Sequence, residues 1–325
     1  MISNKGENMA NIRKVKQKSI GTVTQIINKL NSLNLQNYYF ECAVLLLNVI
    51  LRGSILYACE VYYDLKENEL RQIERIEENF LRQIFKTSKG CPITQLYLEV
   101  GQIPARFEIQ KRRLLYLKYL LQQDEKSILF KFIILQIQQP SKGDFVTTCK
   151  SDLDFLTITE SFDEIKLMTK KKFSKILKQR TRQNALKYLI EKQNKKGKEI
   201  QYSDMSMSEY LLPSNQELTI NGKRKLFAVR NGMIDIPSNF PNTNVKPICI
   251  CGQTENLIHI YNCKLLGKTK KEEFFEKIFT GSIGQQLKVF KQLEENLEKR
   301  EQILASQNLP CDPSDPLYSS DYSNG

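Results

Sequence analysis

Residues 67–86, ENELRQIERIEENFLRQIFK, carry the clearest structural signal in this chain of 325 residues. Apolar side chains recur there every three or four positions, which is the period of an α-helix with one buried stripe. The stripe consists of Leu70, Ile73, Ile76, Phe80, Leu81 and Ile84. The opposite face, which is expected to face solvent, carries Glu74, Arg75, Glu77, Glu78 and Arg82. The stretch therefore predicts a helix that packs against other helices.

The same period recurs along most of the chain. It predicts further single helices over residues 8–31, 38–62, 104–123, 127–138 and 217–236. A helix is also expected to start near Asp163, one or two helices are expected over 166–198, and two helices are expected within 268–300. Thr94 and Ser161 are the expected N-caps of the helices that follow them. With 14 glycines and 10 prolines, the composition also favours helices over a many-stranded β fold. The predicted fold class is mainly α.

The most apolar run, Ala43–Ala58, is interrupted by Asn48 and Arg52. It is too short and too polar to be expected to span a bilayer, so it predicts a buried helix and no membrane partner. Residues 1–19 lack the apolar core of a secretory signal. The eight cysteines are therefore expected to be reduced, in the nucleus or the cytoplasm and not outside the cell.

The order of these segments predicts four regions. A helical bundle is expected over residues 1–145, and a basic helical linker over 146–240. A small metal-bound module with C-terminal helices is expected over 241–303. Residues 304–325 are polar and contain proline, which predicts a disordered tail.

The only histidine of the chain lies in a cysteine cluster, ICICGQTENLIHIYNC, at residues 248–263. Cys249, Cys251, His259 and Cys263 form a C-x-C-x7-H-x3-C pattern, which predicts one tetrahedral structural zinc ion with no open position for water or substrate. One residue between the first two cysteines is fewer than the usual two to four, but Gly252 permits a tight turn. The alternative is a set of ordinary core cysteines with a satisfied histidine.

Basic residues outnumber acidic ones, 49 to 36, for a formal net charge of +13. This balance favours nucleic acid, RNA or DNA, or an anionic surface as the partner. No small-molecule substrate is expected. The charge is densest over residues 166–198, and a solvated lysine-rich surface is the alternative there. Candidate phosphate contacts are Lys111, Arg112, Arg113, Lys170, Lys171, Lys172, Lys175, Lys178, Arg180 and Arg182. Tyr261 and Phe240, near the cysteine cluster, are expected in the core more than in stacking on bases.

No pattern in the sequence indicates catalysis. It contains neither a GxxxxGK[ST] nor a GxGxxG phosphate loop. With the single histidine assigned to metal, neither a Ser-His-Asp triad nor a Cys-His pair can form. No paired aspartates follow an apolar strand to hold two magnesium ions. By itself the chain is therefore not expected to be an enzyme.

The order of several segments resembles the C-terminal region of the reverse transcriptase of non-LTR, LINE-type retrotransposons. The resemblance covers roughly residues 10–302 and ends in the Cys-Cys-His-Cys cluster. The segments that carry it are SILYACE at Ser54–Glu60, LRQIF at Leu81–Phe85, LYLEVGQIPARFEIQKRRLLYLKYLL at Leu96–Leu121, QQPSKGDF at Gln138–Phe145 and KLFAVRNGMIDIPSNF at Lys225–Phe240.

This resemblance implies a thumb-like helical bundle, then a linker and a zinc knuckle that help to hold template RNA or target DNA. The catalytic aspartates of that family belong to a polymerase palm, and no segment of this chain matches them. The resemblance thus implies a nucleic-acid-binding fragment of an element truncated at its 5′ end, with the parent element's palm as a further possible partner.

Two other functions stay open from the sequence. One is a helical protein that binds another protein through its C-terminal amphipathic helix and does not bind nucleic acid. The other is an inactive retrotransposon relic.

Overall fold

The structure is a computed structural model, and it describes residues 7–61, 65–87, 90–194, 202–231, 233, 248–266, 272–279 and 281–306. Over these residues the chain is mainly α-helical, as predicted. Its β pairing there consists of two isolated bridges, Val100 with Met207 and Ile248 with Thr254. The chain forms two compact units, Met1–Arg224 and Lys225–Gly325.

Most helices of the first unit match the predicted ones, but no helix was predicted over Phe145–Phe155. The helices are α1 (Glu7–Ser32), α2 (Tyr39–Leu46), α3 (Arg52–Ile55), α4 (Glu67–Phe85), α5 (Ile93–Glu99), α6 (Ala105–Leu121), α7 (Ile128–Gln138), α8 (Phe145–Phe155), α9 (Phe162–Leu167) and α10 (Lys170–Asn194). Helix α11 (Ile220–Arg230) contains the boundary between the two units.

Helix α6 lies at the centre of the first unit and packs against α4, α7, α8, α9 and α10. Leu117 of α6 shares one core with Ile133, Cys149, Ile165 and Phe173, and each of these side chains is fully buried. The core thus joins the predicted bundle and the predicted linker. A boundary at residue 145 would cut it, because the turn before α8 returns the chain onto α6.

Helix α4 has the predicted bounds, but two of its charged residues do not face solvent as expected. Glu77 is 0% exposed and pairs with Arg52, with Oε1 2.7 Å from Nε. Glu74 is 4% exposed and pairs with Arg106, with Oε1 2.6 Å from Nε. Both carboxylates are buried because an arginine from another part of the chain compensates the lost hydration.

The segment predicted as a helix over residues 38–62 is helical from Tyr39 to Ile55 and ends there, earlier than predicted. A 3₁₀ turn at Gln36–Tyr38 precedes α2, a π turn at Leu47–Leu51 separates α2 from α3, and a second 3₁₀ turn follows at Cys59–Val61. Residues 62–64 lie outside the described part of the chain. The π turn adds a residue to the helical repeat, and Arg52 directly after it is buried against Glu77.

The apolar segment that contains α2 is longer than the predicted apolar run, Ala43–Ala58. Within the described residues, Gln36–Ile55 is long and apolar enough to cross a membrane by length and composition alone. Core helices pass the same criterion, but only 39% of its most apolar window is buried inside the protein, so the segment is less buried than predicted. Ala43, Leu47 and Leu51 form a fully buried stripe, whereas Leu45 and Val49 are exposed.

The predicted helix caps have different outcomes. Ser161 forms the expected capping box with Glu164 at the start of α9. Thr94 is not an N-cap, because α5 begins after Pro92 and the Thr94 hydroxyl instead hydrogen-bonds to the side chain of Gln193. Sequence spacing alone does not reveal this second use of a threonine, since Gln193 is distant along the chain.

The second unit holds three further helices. They are α12 (Leu257–Asn262), α13 (Glu272–Phe279) and α14 (Ile283–Ser306), and α14 packs against both others. The predicted pair of helices separated at Gly281–Gly284 is thus confirmed. Of the predicted tail, residues 304–306 belong to α14 and residues 307–325 lie outside the described part of the chain.

Candidate metal centre and cationic surface

A tight turn brings the first two cysteines of the cluster together. The backbone N–H of Cys249 donates to the Gln253 carbonyl at 2.8 Å, and the Gly252 N–H donates to the Cys249 carbonyl at 2.7 Å. Gly252 has φ +84°, a left-handed conformation that glycine adopts without strain. This turn accommodates the short C-x-C spacing.

Helix α12 supplies the other two side chains. Asn256 caps it, with its Oδ1 accepting the backbone N–H of His259 at 2.8 Å. His259 and Cys263 are four residues apart, so their side chains lie one above the other on the same side of the helix. The cap fixes the start of α12 and therefore the direction in which the imidazole points.

The four ligand atoms lie within 4.8 Å of one another, so Cys249, Cys251, His259 and Cys263 could hold a metal ion. The sulfurs of Cys249 and Cys263 are 3.8 Å apart, and Cys251 Sγ is 3.1 Å from His259 Nε2. Tetrahedral zinc, with bonds of about 2.3 Å to sulfur, separates two sulfurs by about 3.8 Å. The spacing of Cys249 and Cys263 therefore fits a tetrahedral ion, whereas Cys251 Sγ and His259 Nε2 lie closer together than the distance of about 3.5 Å that such an ion gives.

The thiols of the cluster differ in acidity. Burial raises the pKa of Cys249 to about 12. A backbone hydrogen bond from Gln253 lowers the pKa of Cys251, whose side chain is less buried. A metal ion that binds here displaces the protons of these thiols, because thiolates are the ligands.

Helix α14 anchors the cluster through a side chain that the sequence reasoning missed. Asn296 is 0% exposed, and its Nδ2 donates to the carbonyls of Ile260 and Tyr261 at 3.0 and 3.1 Å. These carbonyls belong to the last turn of α12, which has no partners for them within the helix. The sequence offered one signal of this contact, because Asn296 lies between Leu293 and Leu297 on an otherwise apolar face.

An ion pair makes a second anchor. Arg300 Nη2 lies 2.8 Å from Oε1 of Glu255, a residue that is 1% exposed and immediately precedes the cap of α12. Tyr261 is 4% exposed and its ring packs 4.7 Å from that of Phe274, so it belongs to the core as expected. Phe240 lies outside the described residues.

In the first half of helix α10, the buried Phe173 and Leu177 lie on the side opposite the exposed Lys171, Lys175 and Lys178, whereas the buried side of the second half is rotated away from that of Phe173 and Leu177. Phe173, Leu177, Ala185 and Leu189 are at most 1% exposed. The exposed cations of the first half are Lys170, Lys171, Lys172, Lys175, Lys178 and Arg180. None of these six forms a salt bridge with a residue that the structure describes. Lys171, Lys175 and Lys178 recur at helical spacing and form one stripe, which we call the lysine stripe.

Four other candidate phosphate contacts are engaged within the protein. Arg113 is 5% exposed, contrary to the expectation of an outward side chain, and it pairs with Asp152 at 2.7 Å. Lys111 and Arg112 both pair with Glu108, at 2.5 and 3.3 Å. Arg182 donates to the Met205 carbonyl. The lysine stripe is therefore a better candidate for contact with phosphates than these four residues.

Comparison with known proteins gives no identification. No protein-family model, no curated protein and no solved structure matches this chain.

Proposed function

We propose that this chain is a non-catalytic nucleic-acid-binding protein that holds RNA or DNA through the exposed cations of α10. The observation that carries the proposal is the lysine stripe. Its three ammonium groups lie on one side of a helix whose opposite face is packed into the core. Without carboxylate partners among the described residues, these groups are available to an external polyanion.

The stripe has a length suited to several phosphates. Lys171 and Lys178 are seven residues apart, which is about 10 Å along a helix at 1.5 Å per residue. Lysines that neutralise phosphates release condensed counterions, so binding weakens as salt rises. Contacts of this kind position a strand without reading its bases.

We further infer that the ion held by the cysteine cluster is zinc. Three thiols and one imidazole are the ligands that zinc prefers, and four protein ligands complete a structural site. The ion would fix the turn at residues 249–253 against α12. It would therefore stabilise the second unit and would not act on a substrate.

The resemblance to the C-terminal region of a LINE-type reverse transcriptase is consistent with this proposal. In that setting, the chain would hold template RNA or target DNA for a polymerase palm that supplies the catalytic aspartates. The nucleus and the cytoplasm are the compartments where such a substrate would be met.

Salt-dependent binding of the full chain to a single-stranded RNA tests the proposal. We expect Lys171→Gln, Lys175→Gln and Lys178→Gln together to weaken binding roughly tenfold at low salt. The slope of log affinity against log salt should fall by about 2, because each lost phosphate contact contributes about 0.7 on a single strand.

The matched control is Lys14→Gln, Lys16→Gln and Lys18→Gln on α1, which removes the same charge from exposed lysines elsewhere. An equal loss in both triple variants would point to net charge alone and against a site on α10. Absence of any binding in dilute buffer would refute the proposed function.

A second candidate is a protein that binds another protein through an apolar face. The helix first considered for this role, α14, already buries Leu287, Phe290 and Leu293 inside its own unit. Helix α7 instead exposes Ile128 at 81% and Phe132 at 54%. A stable oligomer in a size measurement, with no shift of RNA in a gel, would favour this function over the first.

A further inference from the structure

A recess of about 700 Å³ in the first unit lies between the end of α1 and the start of α11. This volume falls within the range of small-molecule and cofactor sites. Its walls come from residues 30–39 and 216–224, all of which the structure describes. Six carboxamide side chains line it: Asn31, Asn34, Gln36, Asn37, Gln216 and Asn221.

A fixed guanidinium group also lines the recess. The Arg224 guanidinium lies 5.0 Å from the centroid of the Tyr39 ring, which is 2% exposed. Its Nε donates to the Ile84 carbonyl at 2.9 Å, and its Nη1 donates to Asn221 Oδ1 at 3.2 Å. These contacts hold the planar group in one orientation at the wall of the recess.

The charges of the recess nearly cancel. Its lining contains one cation, Arg224, and one carboxylate, Glu217. A bare phosphate would meet the carboxylate as well as the guanidinium, so an anion alone is not the best match. A neutral planar group rich in hydrogen-bond donors and acceptors suits this lining better.

We propose that the recess binds a single unpaired nucleobase. Carboxamides donate and accept together, which matches the edges of bases. A guanidinium plane is a recurrent stacking surface for bases in single-stranded RNA. The base is supplied either by a nucleotide of a bound strand, in which case the inference rests on the proposed function, or by a free nucleoside.

The test compares two strands of equal charge. The full chain is titrated with a ten-nucleotide oligoadenylate and with an abasic oligomer of the same length. We expect the intact strand to bind about tenfold tighter, because stacking of one base contributes on this scale. Adenosine alone, measured by calorimetry, distinguishes a free nucleoside from a base within a strand.

Two variants locate the effect in the recess. Asn34→Ala with Gln216→Ala removes two exposed carboxamides, and we expect it to reduce the preference for the intact strand about threefold or more. Arg224→Lys keeps the charge but removes the planar group, so the preference should fall while the salt slope stays unchanged. The control is Gln17→Ala with Gln139→Ala, which removes exposed carboxamides outside the recess.

The outcomes separate this inference from the proposed function. Equal binding of intact and abasic strands by the wild-type chain, together with no binding of adenosine, overturns the proposed base site and leaves the lysine stripe as a candidate. If both recess variants still prefer the intact strand as strongly as the wild-type chain does, the recess does not bind the base. If neither strand binds but adenosine does, binding of a base by the recess is supported and the proposed function is refuted.

Discussion

At the residue scale, buried polar side chains decide how the helices meet. Glu77 accepts hydrogen bonds from Arg52 and from the Tyr97 hydroxyl, the latter at 3.0 Å, and all three residues are almost completely buried. A helical pattern assigns a glutamate to the solvent face because unpaired charges are costly to bury. The partners of Glu77 come from two other helices, so no local pattern could reveal the exception.

The cluster cysteines give a prediction at the same scale. Cys263→Ser should abolish stoichiometric zinc, because a neutral hydroxyl is a poor zinc ligand beside two thiolates and an imidazole. Metal analysis of purified protein after dialysis measures this. Cys42→Ser, which changes a cysteine outside the cluster, should retain one zinc ion per chain. If the Cys263 variant still bound one zinc ion per chain, Cys263 would not be a ligand.

At the element scale, a turn and a capping carboxylate fix where helix α8 begins. The turn at residues 140–144 ends in Asp144, which caps α8 by accepting the Thr147 N–H at 2.6 Å and the Ser141 N–H at 2.7 Å. Burial alone would raise the pKa of Asp144, but the hydrogen bonds from Ser141 and Thr147 outweigh it and hold the pKa below its usual value. The ionised carboxylate is thus the form that stabilises α8.

Asp144→Ala should therefore lower the free energy of unfolding by about 1 kcal/mol at neutral pH. Because the folded-state pKa is depressed, the contribution is complete above the unfolded-state pKa of about 4 and is lost as the pH falls below it. Urea denaturation at several pH values measures the difference. Asp154→Ala, on the exposed side of the same helix, should change little. A deficit in the Asp144 variant that grows on acidification would contradict this account.

At the scale of the whole molecule, the two units are expected to depend differently on metal. In the second unit, the turn at residues 249–253, helix α12 and the Asn296 anchor on α14 surround the cluster. In the first unit, the core from α6 to α10 contains none of the cluster ligands. A bound ion stabilises only the state that holds it, by about 2.7 kcal/mol at a hundredfold excess over the dissociation constant.

Removal of zinc with a chelator should therefore accelerate amide hydrogen exchange in α12 and around Asn296. The protected amides of α10, from Phe173 to Leu189, should exchange at their original rate. Exchange measured by mass spectrometry with and without zinc resolves the two regions. Equal acceleration in both units would show that the metal supports the whole chain instead of its own unit.

The sequence by itself determined the helical class, the bounds of most helices and the four side chains that could hold a metal ion. These features depend on local spacing: a period of three to four residues, a cap three residues from its acceptor, and ligands within one short segment. Only the tertiary structure decided which charged residues are buried, where the long apolar helix ends, and which cations of α10 have no carboxylate partner among the described residues. Those features depend on partners that are distant along the chain, because a charge is stable in the interior only where folding brings its counter-charge beside it.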